Sequence, residues 1–576
     1  HSPRGPSNLH HTQAMRLQCR QAAAFSFVSS VSDRAPRRIL SATAFLSLAL
    51  IFPRAVSPQE DALAFRPTHY EFHIDLPDAG PSIKGQAWVT LRRMRPADTI
   101  SLDLMHLHVS RVEVDRRRLE FIRTDSTILI PLPSNAPQRL EVFVVYDGVP
   151  TDGLIAGKDS AGRWNYFGDN WPNRARYWLP TIDRPDAKAP VNWTITAPFD
   201  KTVIANGLLS ENTSARIGGR KVLLSRWRES SPIPPYLMVI AAAPLVKYDL
   251  GCTPSERDHC VQQAVFAAPE QQKVLPGAFS RVGDIVAFFS KTIAPFPFEK
   301  LYHLQSRTRF GGMENATAIF YADAFFHRDG VPEGIIAHET AHQWFGDAVT
   351  EQKWPHVWLS EGFADYFEAL YAQHAHGDSA FRSEMSRFRS QILADTVAVP
   401  TRPVIDTAQT DLFALLNANS YQKGAWVLHM LRSQLGDTAF FGGLRDYYAA
   451  HKYGNALSDD LRSALEHTSG KDLRAFFDQW LRRPGYPEVT VTVQADSSGT
   501  VAAVRQTGRF GYYDFPLPIV VRTSGGALRA MTIPVKPQPI TLLRILDRGA
   551  RFGSLELDPN VTVLMRSNVE AATPRS

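Results

Sequence analysis

Cysteine is scarce: the chain of 576 residues has three, Cys19, Cys252 and Cys260. That is too few for a cysteine-rich zinc site or a scaffold held by disulfides. No internal repeat of solenoid length is visible, which sets aside stacked-repeat architectures. The conspicuous apolar run, "ILSATAFLSLALIF" at residues 39–52, is short of the ~20 residues a helix needs to cross a bilayer. A basic surface is lacking too, although the pI is 9.1 and the net charge +6. Residues 1–58 hold seven arginines (Arg4, Arg16, Arg20, Arg34, Arg37, Arg38, Arg54), no lysine and one acid, Asp33. The excess therefore lies in the leader, the remainder is near neutral, and no nucleic-acid partner is expected.

What is present begins with that leader. Arg34, Arg37 and Arg38 precede the apolar run, and small residues follow it. A basic start, an apolar middle and a small-residue end describe a secretory signal over residues 34–57. The expectation is an exported protein, periplasmic or extracellular, with no stable membrane span once mature; the alternative is an uncleaved membrane anchor. Cys252 and Cys260 lie eight apart in "LGCTPSERDHCVQQ" between two strand-like runs. This leaves open a hairpin-tip disulfide or two unpaired thiols.

The length suggests about three or four domains. After the leader (1–58), period-two alternation such as "YEFHIDL" and "RLEVFVVY" reads as an N-terminal all-β domain, residues 59–250. Helical spacing then takes over in "PGAFSRVGDIVAFFSKTIAPF", interrupted by a strand-like "KLYHLQS". It continues to "DLRAFFDQWLRR", giving a mixed α/β unit over 251–484. "RRPGYPE" breaks that pattern, and "VTVTV" restarts alternation over 485–576, the spacing of a small β-sandwich. The fold class is multidomain α+β.

The chemistry concentrates in "GIIAHETAHQWFGDAVTEQKWPHVWLSEGFADYFEALY". His338 and His342 are four apart, so on a helix both rings share one face and can meet a single ion at about 2.0–2.1 Å. Glu339 sits beside them, placed to hold and deprotonate a water. Catalytic zinc sites use three protein ligands and leave a fourth position open. The candidate third ligand is Glu361, nineteen positions after His342 at the head of an amphipathic helix. Glu368, seven further on, is a candidate to orient a ligand, or else a solvated helix carboxylate. His303, His327, His356, His374 and His376 lack a matching spacing and read as structural.

With "HETAHQWFGD" and "WLSEGFADYFEALY", the chain resembles the aminopeptidase N family of zinc peptidases. "GGMEN" (residues 311–315) is similar to that family's exopeptidase signature, and "SYQKGAWVLHML" to the segment with its catalytic tyrosine. "FFDQWLRRPGYPEVTV" resembles its exit from the catalytic domain. The resemblance covers roughly residues 66–570. It implies a thermolysin-like catalytic domain and one Zn2+ held by His338, His342 and Glu361. It makes Glu339 the general base and Tyr421 the donor to the oxyanion. Gly311, Gly312, Met313, Glu314 and Asn315 would bind substrate, with Glu314 taking the free α-amino group. The implied partners are peptides with a free N-terminus. At the positions where the family carries a further amine-binding pair, this sequence has Asp169 and Trp171. Ser360 and Asp347 stand where asparagines are common, with small effects expected. An epoxide hydrolase using the same site, or a non-catalytic scaffold, are the rival readings.

Overall fold

The computed structural model describes residues 62–159, 161–256, 259–496 and 498–570. The expected leader and signal, with Cys19, lie outside the described residues.

The first unit is built on alternation. In the strand Phe65–Asp75, Tyr70, Phe72 and Ile74 are buried while their neighbours face outward. A strand of that pattern needs a partner on each edge and a cover on one face. It pairs antiparallel with Ile83–Arg93 and parallel with Ala189–Pro198, at the middle of an eight-stranded sheet. A four-stranded sheet follows in the order Thr202–Ala205, Ile240–Ala243, Trp164–Gly168, Leu154–Lys158. Its Phe167 meets Phe320 of the next unit edge-on, 6.2 Å between ring centres.

The second unit is the mixed one. Its five-stranded sheet runs Val246–Glu256, His259–Ala267, Lys300–Ser306, Ala318–Ala322, Gly312–Met313. The strand Val246–Glu256 belongs to this sheet, so a division at residue 250 would cut through it. Cys252 and Cys260 are joined in the hairpin of the first two strands, with α-carbons 5.6 Å apart. Gly312–Met313 is the last strand in the order, pairing antiparallel with Ala318–Ala322 on one side only.

Helices pack beyond that edge. Glu333–His342 is buried from Ile335 through His342. Trp358–His376 departs from the amphipathic expectation: its first fourteen residues, Trp358 to Tyr371, are all buried. Its acids Glu361, Asp365 and Glu368 therefore all face protein. A helix enclosed on every side needs close neighbours, and Gly362 supplies one. Its α-carbon lies against Gly424, so a β-carbon at Gly362 would fall 2.8 Å from Gly424 Cα. That contact draws the helix Gly424–Leu435 up to the helix carrying Glu361.

The helix Arg474–Leu481 ends before the proline-rich turn, and Glu488–Asp496 starts the third unit. Two sheets, of four and three strands, form a β-sandwich. In Phe515–Thr523, Phe515, Leu517, Ile519 and Val521 point inward between exposed neighbours. Among the described residues no helix is long and apolar enough to cross a membrane.

Candidate metal and peptide site

His338 and His342 face the same side of the helix Glu333–His342, with Nε2 atoms 3.2 Å apart. Glu361, in the first turn of Trp358–His376, brings Oε2 to 3.5 Å from His338 Nε2 and 3.4 Å from His342 Nε2. Three ligand atoms each about 2.0–2.1 Å from a tetrahedral ion stand about 3.3–3.4 Å from one another. The observed triangle matches that edge, so these residues fit one zinc ion. All three side chains are buried.

The tautomers fit as well. His338 Nδ1 is 3.0 Å from Asp365 Oδ1. His342 Nδ1 is 3.2 Å from the Phe345 carbonyl oxygen and 3.0 Å from Ser360 Oγ. A carboxylate and a carbonyl accept only, so each Nδ1 carries the proton and donates. That leaves both Nε2 lone pairs aimed at the shared point.

Electrostatics point the same way. Burial acts to raise Glu361, yet the charge of His342 and hydrogen bonds from both histidines hold it down at about 2. Burial acts to lower His342, but Glu361 and Glu314 push it up to about 9. His338 rises well above its ordinary value, with Asp365 and Glu361 outweighing burial. The surrounding acids thus favour positive charge at the point the two imidazoles share, as a metal site does.

Glu339 lies on the same turn. Burial pushes it up to about 7, with Glu314 and Glu361 adding to the rise against His338 and His342. A carboxyl near neutral pKa suits a group that takes and returns a proton. Gly312 lets it fit: a β-carbon there would fall 2.0 Å from Glu339 Oε1.

Glu314 joins Glu339 and His342 in a second cluster, with ligand atoms all within 4.8 Å of one another. Burial raises its pKa. Met313 pairs with Phe320, and the Gly311 carbonyl accepts from the Ala322 N–H at 3.0 Å. Asn315 is fully buried, and neither atom of its amide has a protein partner. Tyr421 stands in a single turn of π-helix, Asn419–Lys423, with its ring 6.1 Å from that of His338 and nearly parallel. Such turns recur at functional sites because they turn a side chain out of the α-helical register. Burial and the nearby Glu361 and Glu314 push its phenol well up, so it stays protonated.

Residues that the motifs left unmarked also build the site. Asp365 is the closer partner of His338; Glu368 stands at 3.8 Å and is paired with Arg387 at 3.2 Å. The sequence signal for Asp365 was its place one helical turn after Glu361. Gln343 donates to the Glu314 carbonyl at 2.8 Å and accepts from the Thr317 N–H at 2.9 Å, fixing the signature strand to the histidine helix. Nothing in the sequence marked it beyond adjacency to His342. Ser360 and Asp347 do more than expected: Ser360 touches His342, and Asp347 Oδ2 accepts from Gln343 at 2.8 Å.

Asp169 is fully buried and already committed. It pairs with Arg174 at 2.9 Å and Arg309 at 3.2 Å, and accepts from Thr308 at 3.1 Å. Asp152 closes the ring through the same two arginines. Trp171 packs edge-on against Phe310, Trp354 and Phe413. His303, His327, His356, His374 and His376 take no part in the candidate ligand groups.

Comparison with known proteins agrees with this arrangement. Residues 66–237 match the peptidase M1 N-terminal domain, and residues 279–480 match the peptidase family M1 domain. Aminopeptidase N of Lactococcus lactis subsp. cremoris is 29% identical over 460 residues, covering 75% of this chain and 52% of its own length. Aminopeptidase N of Streptomyces lividans is 28% identical over 472 residues, covering 76% and 53%. The chain thus spans about half the length of the curated relatives it matches. The crystal structure of an M1 zinc metallopeptidase from Deinococcus radiodurans shares the fold, with a TM-score of 0.64 and 24% identity over 72% of this chain and 93% of that one. With both of its domain models matched in order, and the metal triad assembled within the second, the chain belongs to peptidase family M1.

Proposed function

We propose that this chain is a zinc-dependent aminopeptidase that removes N-terminal residues from peptides. The observation that carries this reading is the placing of Glu314 within 4.8 Å of both Glu339 and His342. A carboxylate so close to the hydrolytic groups selects substrates whose positive charge lies one residue from the scissile bond.

Zinc, when bound by His338, His342 and Glu361, lowers the pKa of water and polarises the scissile carbonyl. Glu314 accepts hydrogen bonds from the substrate's α-ammonium. The free edge of Gly312–Met313 extends the sheet by one strand of substrate backbone. Glu339 takes a proton from the attacking water on its carboxylate and returns it to the departing amine nitrogen. Tyr421 donates its O–H to the oxygen that gains charge as the carbonyl is attacked.

The reading is tested with free and N-acetylated aminoacyl amides, the parent protein beside Glu339→Gln. Hydrolysis of free substrates only, abolished by a chelator and by Glu339→Gln with zinc still bound, is the expected result. Equal turnover of acetylated substrates overturns the exopeptidase reading; zinc-free protein with full activity overturns the metal one. A protein inert in both forms is the scaffold.

We also propose that the protein is exported, the alternative being an anchor at residues 34–57. The disulfide Cys252–Cys260 supports an oxidising compartment. N-terminal sequencing of the mature protein is expected to begin near residue 58. A chain that retains the apolar run is the anchored form.

A further inference from the structure

One cation of the first unit reaches into the second. Lys188, just ahead of the strand Ala189–Pro198, is buried. Its Nζ donates to three backbone carbonyls: Asp347 at 2.9 Å, Ala348 at 2.9 Å and Gly454 at 3.0 Å. An ammonium has three N–H donors, and here each has an oxygen.

Two of those carbonyls belong to the loop that closes the histidine helix. That loop is tightly folded on itself. The Asp347 N–H donates to the His342 carbonyl at 3.0 Å, and the Gly346 N–H to Val349 at 2.8 Å. Phe345, near its start, supplies a carbonyl that faces His342 Nδ1. Two further bonds join this region to the first unit. Tyr236 donates to the Gly346 carbonyl at 3.3 Å, and Asn455, beside the third lysine acceptor, donates to Pro185 at 2.9 Å.

We propose that Lys188 is a positioning residue for His342: by gathering the Asp347, Ala348 and Gly454 carbonyls it fixes the loop whose Phe345 oxygen sets the ring's tautomer and direction. The metal affinity of the second unit then depends on its docking to the first. A carbonyl cluster without its cation repels itself, and the loop relaxes toward other donors. Phe345 moves with the loop, and of the two oxygens that face His342 Nδ1 only Ser360 Oγ stays in place to aim the ring. The inference rests on the reading of His342 as a metal ligand.

The test compares Lys188→Met, Tyr236→Phe and a control, Ile195→Val, which lightens the core of the neighbouring strand without touching the loop. The readouts are the zinc dissociation constant by chelator competition, the visible absorption of the cobalt(II)-loaded protein, and the melting temperature of the metal-free form. Lys188→Met is expected to weaken zinc binding about 10- to 100-fold, the range for outer partners of metal-binding histidines, and to change the cobalt spectrum. Tyr236→Phe moves both in the same direction by less, and Ile195→Val lowers the melting temperature only. Parent-like zinc affinity and cobalt spectrum in Lys188→Met overturn the proposal, as does equal weakening by the control. If Lys188→Met does not fold, an unchanged cobalt spectrum in Tyr236→Phe overturns it. A parent protein that binds no zinc removes the ligand reading itself.

Discussion

Asp365 Oδ1 lies 3.0 Å from His338 Nδ1. The carboxylate comes from the same helix as Glu361, one turn on, and is itself held by the Gln422 amide at 3.0 Å. One helix thus supplies both a ligand for the ion and the group that orients another ligand.

Replacing Asp365 by asparagine removes the charge and leaves an amide that can present either atom to the ring. Zinc affinity is expected to fall about 10- to 100-fold. Competition against a chromogenic chelator measures it; an unchanged constant shows that Glu368 or solvent orients His338 instead.

Tyr421→Phe deletes one donor to the oxygen that charges during attack. The expected loss is about 10²- to 10³-fold in kcat, with KM and bound zinc unaltered. Steady-state kinetics on a free aminoacyl amide decide it, and a change confined to KM contradicts the role.

Glu314→Gln keeps the shape of the side chain and removes its charge. Free peptides are expected to lose kcat/KM while N-acetylated ones do not. The measured quantity is kcat/KM on free peptides, with N-acetylated ones as the blank, and a parent-like value rules out amine recognition by Glu314.

Gly312→Ala places a methyl where Glu339 Oε1 now sits, at 2.0 Å. The base or the strand has to move, and overpacking of this kind costs about 1–3 kcal/mol. Activity is expected to fall with zinc retained. Parent-like kcat/KM argues that the base has room to swing aside.

His303 and His429 are buried, His356 is half-buried, and all three are neutral. Burial lowers them from 6.5 to about 3, 4 and 4, respectively. Between pH 6.5 and about 4 the unfolded chain binds protons that the folded chain refuses, so stability falls as pH drops through that window. His429→Gln keeps an N–H for the Val561 carbonyl, which His429 now faces at 2.9 Å. The parent's stability advantage over this variant is expected to shrink from pH 7 to pH 4.5 in urea titrations. A constant gap shows that His429 does not contribute.

The ligand set was legible because it is local. Four residues make one helical turn, so His338 and His342 had to share a face whatever surrounded them. Glu361 needed only a loop long enough to bring a second helix back. Alternation likewise marked the first and third units, since one buried face imposes period two wherever it occurs. The same rule misread the helix at Trp358: an apolar stripe was visible, but the enclosure of its polar face was not. That enclosure makes partners of the site out of Asp365, which the pattern had not marked, and Glu368, for which a solvated carboxylate was the other reading.

By itself the sequence determined that two imidazoles and two nearby carboxylates could meet, because covalent spacing along a helix is fixed. Only the tertiary structure decided which other groups aim them. Lys188 is 159 residues from the carbonyl it holds on the histidine loop, Gln343 grips a strand 29 residues away, and Asp169 is taken by arginines from two units. Such contacts form where chain segments cross, and the crossings depend on how whole sheets and helices pack, which no local spacing records.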